Sequence, residues 1–438
     1  MKTLLKGGRV LDPSQNLDVI GDLLIENDQI VEMNGQEKLE PGDTIIDCTG
    51  LWVCPGLIDL HVHLREPGFE YKETISTGTQ AAAAGGFTTI CCMPNTDPPL
   101  DKRAIIEYVV TRAASSESGG IFVAPIGAVA RGMGSDHLAE IASMKEAGIV
   151  AVSDDAFPIQ DAEMMHQAMQ YCKMLDLPIA THCEDLSLTR GGAMNEGAMS
   201  AVLGLKGMPR TAEDIQVARN CVLSISTGCR LHVCHVSTWG AVETIRKAKS
   251  LGAPVTAEVT PHHLILTDNA TDGFDTNCKM NPPLRTQKDV DALREALADG
   301  TIDCIATDHA PHSLHEKQLP FSEAPFGIVG LESAVGLILT HLTHTGVLSP
   351  LQTIRAMSTA PAEAFALGGG TLIPGELPAA QITVIDPDLE WTFDVRKTFS
   401  KSRNSPFHGW QLRGKAVMTI WGDEVYRDGV MDARVSTQ

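Results

Sequence analysis

Gly56-Leu-Ile-Asp-Leu-His-Val-His-Leu64 is a short apolar run that carries two histidines and leads straight into Arg65. A run of this length without helical spacing reads as a buried strand. Seven more follow, at Gly86–Met93, Ile121–Val129, Gly148–Val152, Leu177–Thr181, Arg230–Val236, Pro254–Val259 and Ile302–Thr307. Helix-like stretches separate them, among them Asp161–Leu175, Thr211–Ser224, Ala241–Ser250 and Lys288–Ala298. Strand–helix alternation implies βαβ units and a parallel sheet. Eight such units predict an α/β fold, a (β/α)8 TIM-like barrel, for which ~250 residues is usual. A doubly wound open sheet is the alternative. No Gly-x-Gly-x-x-Gly follows the first run, so its nucleotide-binding version has no support.

Outside this region the texture changes. Apolar runs at Leu4–Leu11, Gly21–Ile25, Ile30–Met33 and Thr44–Cys48 are separated by the turn pairs Asp12-Pro13, Asn27-Asp28 and Pro41-Gly42. The end of the chain is similar, with runs at Ala380–Ile385, Ala416–Trp421 and Val425–Arg427. Two β-rich ends around a different middle predict a small β-sandwich domain built from 1–55 and 366–438, with the barrel at 56–365.

Composition limits the function classes. The 438 residues hold 34 basic against 55 acidic side chains, a net charge of −21. Such a surface repels phosphate backbones and anionic lipid, so neither nucleic acid nor membrane is expected as a partner. A small anionic substrate would need a local positive site. The apolar run Gly336–Leu342 falls short of the ~18 residues of a membrane span, and the first residues lack the pattern of a signal peptide. Eleven cysteines, an odd number with no Cys-x-x-Cys, read as reduced core residues and hence a cytoplasmic chain.

Groups able to bind metal gather where the runs end. The first run supplies His61 and His63, the fourth Asp154 and Asp155, the fifth His182, the sixth His235 and the eighth Asp308. In a barrel these ends open on one pocket, and imidazole with carboxylate suits Zn2+ or a related ion. Side chains two apart share a strand face, so His61 and His63 can both point inward, as can Arg65. Adjacent Asp308 and His309 should diverge. His232 and His235 cannot both face inward in a regular strand, and His235 lies nearer the strand end. Cys183 and Cys234 adjoin proposed ligands and read as packing. Taken singly, His182 is an ordinary buried histidine and Asp308 an ordinary cap; their recurrence at successive strand ends is what points to a metal site.

The stretch Pro55–Gly68 resembles the opening signature of the cyclic amidohydrolases, and Asp308-His-Ala-Pro-His312 with Ala324-Pro-Phe-Gly327 is similar to the dihydroorotase version. Met93-Pro-Asn95, Thr181-His-Cys-Glu-Asp185, His235-Val-Ser, Thr260-Pro-His-His263, Asn281-Pro-Pro-Leu-Arg285 and Ser405-Pro-Phe extend the likeness nearly end to end. It is closest to the longer, class I bacterial form. The resemblance implies that His61, His63 and Asp308 bind one zinc and that His182 and His235 bind a second, with one or two ions per subunit left open. Related enzymes bridge the two with a carboxylated lysine. Val152-Ser-Asp-Asp155 offers none, which implies an aspartate bridge, with Asp155 favoured over Asp154. His63, Arg65, Asn95 and His312 are implied around the substrate carboxylate, Asn281, Phe326 and Gly327 around the ring amides, and Asp308 as the general acid and base. The implied reaction interconverts N-carbamoyl-L-aspartate and L-dihydroorotate in pyrimidine (UMP) synthesis. A homodimer and association with aspartate transcarbamoylase are further expectations. An allantoinase or hydantoinase, and an inactive subunit supporting the transcarbamoylase, are the alternatives. His262 and His263 are expected beside the site without a role of their own. The polar stretch Ser313–Ala324 reads as a lid or a long surface loop.

Overall fold

A computed structural model describes residues 2–33, 39–115, 119–134, 137–422, 424–427 and 430–433. Residues 434–438, the tail of the expected C-terminal β unit, lie outside them. All eight expected barrel strands are present: β1 (Leu57–Val62), β2 (Phe87–Cys92), β3 (Phe122–Ala128), β4 (Ala151–Ser153), β5 (Ile179–Thr181), β6 (Leu231–Val233), β7 (Val255–Val259) and β8 (Cys304–Ile305). They form one parallel sheet in sequence order. The seam between β8 and β1 is closed just beyond β8. Val62 bridges to His309, the His63 amide donates to the His309 carbonyl at 2.8 Å, and the Asp59 carboxylate accepts the Thr307 amide at 3.1 Å.

Helices return the chain between strands: α1 (Ile75–Gly85), α2 (Arg103–Ala113), α3 (Ile141–Glu146), α4 (Ala162–Met174), α5 (Thr211–Thr227), α6 (Trp239–Ser250) and α7 (Gln287–Asp299). Their starts are encoded locally. Thr74 and Thr77 form a reciprocal capping box on α1, Asp161 caps α4 and Thr238 caps α6, each satisfying amides that the first turn leaves free.

The apolar core shows why the strands read as continuous runs. Leu57, Val62, Ile90, Val123, Val152 and Leu231 pack outward against the helices. Ile58, Leu60, Cys91, Met93, Ala124 and Ile126 fill the barrel interior with Phe365, from the helix Ala360–Phe365. Both faces are buried, as in any all-parallel sheet. A register shift between Asp59 and Val62 interrupts the alternation in β1, just where the histidines begin.

Both chain ends join one nine-stranded sheet, ordered Val430–Ala433, Glu424–Arg427, Gln411–Trp421, Gln381–Thr392, Trp52–Pro55, Lys2–Asp12, Leu17–Glu26 and Gln29–Met33, with Thr44–Asp47 also paired to Lys2–Asp12. Leu5, Leu23 and Ile25 from one end share a core with Ile382, Val384 and Ile420 from the other. The separate β unit expected from the sequence is thus a continuous sheet made by both termini. Ala366, in the left-handed region at φ 55°, ends the last helix before that sheet resumes. All eleven cysteines are buried and unbridged. No helix among the described residues is long and apolar enough to cross a membrane.

Candidate metal centre

The carboxyl ends of β1, β4, β5, β6 and β8 bring six buried side chains into one cluster. Around one point lie His61, His63, Asp155 and Asp308. His63 Nε2 is 3.1 Å and His61 Nε2 3.5 Å from Asp308 Oδ1, and the two nitrogens are 3.5 and 3.6 Å from Asp155 Oδ2. Around a second point His182 Nδ1 and His235 Nε2 are 3.0 Å apart, each 3.3 Å from Asp155 Oδ1. Ligands bound tetrahedrally at ~2.0–2.1 Å sit roughly 3.3 Å from one another, so these spacings suit a divalent ion at each point. The two oxygens of Asp155 face different groups, which is the placement a bridging carboxylate needs. Asp154 points elsewhere, accepting the amides of His182 at 3.0 Å and Ile159 at 2.9 Å.

The far sides of three of the four rings support the same conclusion, the exception being His235, whose Nδ1 is buried without a partner. His61 Nδ1 donates to Glu258 at 2.7 Å, His63 Nδ1 to Asn95 Oδ1 at 2.8 Å, and His182 Nε2 to Glu184 at 2.9 Å. Each bond places the ring proton away from the cluster and aims the other nitrogen's lone pair into it, the usual arrangement behind a metal-ligating histidine. His61 Nε2 is buried with no hydrogen-bond partner. Burial alone would push the Asp155 and Asp308 carboxyls up, but the facing histidines hold both below the usual carboxylate range.

His232 stays out of the cluster, bonded to Glu258 at 3.0 Å and Thr256 at 2.8 Å. His309 diverges from Asp308 as expected and faces Glu73 at 3.3 Å. Cys183 packs against Thr181. Cys234 comes closer than simple packing implies, its sulfur within 4.8 Å of ligand atoms of His61 and Glu258. His262 is buried, with Nε2 unpartnered, and burial pushes its imidazole down to about 4. His263 bonds to Thr260 and the Pro282 carbonyl.

A cavity of about 330 Å³ opens beside the cluster, lined by His63, Arg65, Asn95, Asn281, Asp308, His312, Phe326 and Gly327 among others. Arg65 Nε donates to the Pro311 carbonyl at 3.1 Å, and His312 Nε2 donates to the Phe326 carbonyl at 2.8 Å. Asn95 gives its carbonyl oxygen to His63, and Asn281 donates to Glu184 at 2.8 Å. A larger cleft, about 730 Å³, lies along Trp391–Phe399 and contains none of these groups, so chemistry and not size selects the smaller one. The polar stretch Ser313–Ala324, between the lining residues His312 and Pro325, is held by two buried ammonium groups. Buried Lys317 donates to the Pro325 carbonyl at 2.9 Å, and Lys279 to the Phe321 carbonyl at 2.6 Å. Desolvation pushes these ammonium groups down, to about 7 and about 8.

Glu258, Glu184, Lys317 and Asn404 escape a reading of strand ends. Glu258 left one signal, a carboxylate inside the apolar run Pro254–Val259. Glu184 left another, lying two residues after His182. Asn404 comes from the C-terminal β part. Its side chain accepts the His312 amide at 3.1 Å and donates to the carbonyls of Ala310 and Gly327, each at 3.0 Å.

Solved structures share this architecture. An L-hydantoinase (dihydropyrimidinase) from Arthrobacter aurescens superposes with a TM-score of 0.88 at 25% identity, covering 98% of this chain and 96% of its own. A D-hydantoinase (dihydropyrimidinase) from Thermus sp. does so with a TM-score of 0.84 at 26% identity, over 98% and 96%. A nearly closed barrel of this kind, with imidazoles and carboxylates converging at its carboxyl end, defines a cyclic amidohydrolase, a metal-dependent enzyme class. Residues 50–241 match a family model described as Dihydro-orotase-like. The dihydroorotase of Geobacter metallireducens is 50% identical over 97% of this chain and 99% of its own length, and that of Pelotomaculum thermopropionicum is 50% identical over 99% and 100%. The chain belongs to the dihydroorotase family.

Proposed function

We propose that this chain interconverts N-carbamoyl-L-aspartate and L-dihydroorotate, the ring-closing step of pyrimidine synthesis. The observation that carries the reading is one cavity lined by His63, Asp155 and Asp308 of the cluster together with Arg65 and His312. It thereby offers a proton-transfer group and a carboxylate-binding group to one small molecule. In the proposed assignment His61, His63 and Asp308 hold one zinc, His182 and His235 hold a second, and Asp155 lies between them. Zinc bound there supplies Lewis acidity, polarising a carbonyl and making water more acidic.

The protein groups then divide the work. Arg65 presents a planar fork to the substrate carboxylate, where the surrounding surface of an acidic protein would repel it. Asn281 and the backbone of Phe326 and Gly327 orient the ring amides. During ring opening, Asp308 takes a proton from the attacking water as its oxygen bonds to the ring carbonyl carbon. The carbon–nitrogen bond breaks, and Asp308 returns the proton to the departing nitrogen. Ring closure is the reverse, releasing water. Burial alone would favour the protonated carboxyl, but the facing His61 and His63 outweigh it and keep Asp308 ionised, ready to accept that proton.

The fuller reading is a class I, homodimeric, cytoplasmic enzyme able to associate with aspartate transcarbamoylase. Residues 56–365 form its catalytic barrel, supported by a β unit from 1–55 and 366–438. Metal analysis of the purified protein, paired with turnover of dihydroorotate, allantoin and hydantoin, tests the central claim. Bound zinc with selective dihydroorotate turnover is expected. A metal-free, inactive protein, or one preferring allantoin or hydantoin, overturns it.

A further inference from the structure

Glu258 is the sole acidic side chain of β7 and is fully buried at the base of the metal cluster. One oxygen, Oε1, accepts His61 Nδ1 at 2.7 Å and the His235 backbone amide at 3.3 Å. The other, Oε2, accepts His232 Nε2 at 3.0 Å. His232 Nδ1 in turn meets the Thr256 hydroxyl at 2.8 Å, which leaves the ring proton on Nε2 for Glu258. A single carboxylate therefore ties β1, β6 and β7 together, and it touches both halves of the cluster. Through Nδ1 it fixes the His61 ring so that Nε2 faces Asp155 and Asp308. Through the backbone it holds His235 where φ is 34°, a region an L residue seldom occupies.

We propose that Glu258 is a positioning residue shared by the two metal positions, orienting His61 of one and His235 of the other, with His232 and Thr256 fixing its own direction. This rests on the metal-centre reading above. A carboxylate kept only to hold the barrel together would leave metal binding alone once the fold was intact. A positioning carboxylate changes the affinity and ligand field of the metal in a folded protein. Losing such a partner costs about 10–100-fold in metal affinity.

The experiment strips the full-length protein of metal and titrates it with Co2+. Affinity is read by chelator competition, geometry by the visible absorption of bound cobalt, and fold by circular dichroism. Glu258→Gln and His232→Gln are compared with wild type. Both variants are expected to keep the wild-type dichroism, to bind Co2+ 10–100-fold more weakly and to shift the cobalt bands, with Glu258→Gln losing more. Wild-type affinity and bands in a folded Glu258→Gln overturn the inference. Should Glu258→Gln not fold, His232→Gln decides, because it leaves the carboxylate in place, and unchanged binding there also overturns the inference. Wild-type protein that takes up no Co2+ overturns the metal-centre reading instead.

Discussion

Arg65 and Asp308 line the same cavity, and the tasks proposed for them, carboxylate binding and proton transfer, can be separated by substitution. Arg65 is buried, and its Nε is committed to the Pro311 carbonyl, so the plane of the guanidinium is fixed before any ligand arrives. Lysine at this position keeps the charge but loses the planar fork. Arg65→Lys is therefore expected to raise KM for dihydroorotate about tenfold, or ~1.4 kcal/mol, with kcat little changed and metal content intact. An unchanged KM would remove Arg65 from the substrate site. Asp308→Asn keeps an oxygen toward the cluster but cannot carry the proton. Its kcat should fall by ~10²–10⁴, measured at matched metal content. Cyclisation near the wild-type rate with metal retained would show that the proton travels by another group.

At the scale of strands, the site is built where regular geometry stops. Arg65, His235 and Asp308 take φ values of 62°, 34° and 46°, each just past the end of a barrel strand. Such conformations cost of order 1–3 kcal/mol each and persist only where the surroundings impose them. Glycine tolerates positive φ and alanine does not. In metal-free protein, His235→Gly is thus expected to unfold at a higher temperature than His235→Ala. The reverse order would mean that His235 carries no backbone strain. This geometry also marks the limit of what the sequence discloses. The eight strands are legible because both faces of each are buried, so Leu177–Thr181 or Ile302–Thr307 stands out as apolar even where only three or two residues pair. The histidines and aspartates are legible because they sit at those ends. His235 over His232 follows from position, whereas the turn into the left-handed region that aims it inward is invisible in the residues. Glu258, Glu184 and Asn404 act across the barrel or from its far end, and no local pattern links them to their partners. In Ser313–Ala324, likewise, a polar composition conceals a buried Lys317 that pins the segment down.

The molecule as a whole joins its two parts through the segment following Gln381–Thr392. Phe399 and Ser400 donate their amides to Glu332 at 2.9 and 3.1 Å, Lys401 donates to Glu73 at 3.0 Å, and Asn404 reaches His312 and Gly327 beside the cavity. The β unit thus helps shape a barrel site, and the stability of this junction bears on the activity. Burial pushes the Glu332 carboxyl from an ordinary 4.5 up to about 7, the accepted amides and nearby Arg403 opposing and the charge of Glu73 assisting. Between those values the folded chain holds a proton there that the unfolded chain has released. Unfolding then sheds protons, so this group's contribution is full below about pH 4.5 and is lost as pH rises through about 7. Glu332→Gln keeps a carbonyl oxygen for the Phe399 amide and removes the titration. The thermal midpoint of the variant relative to wild type should accordingly move in the variant's favour between about pH 5 and about pH 8. A difference that stays flat over that interval would show that Glu332 does not titrate in it, and that the junction holds its carboxylate ionised throughout.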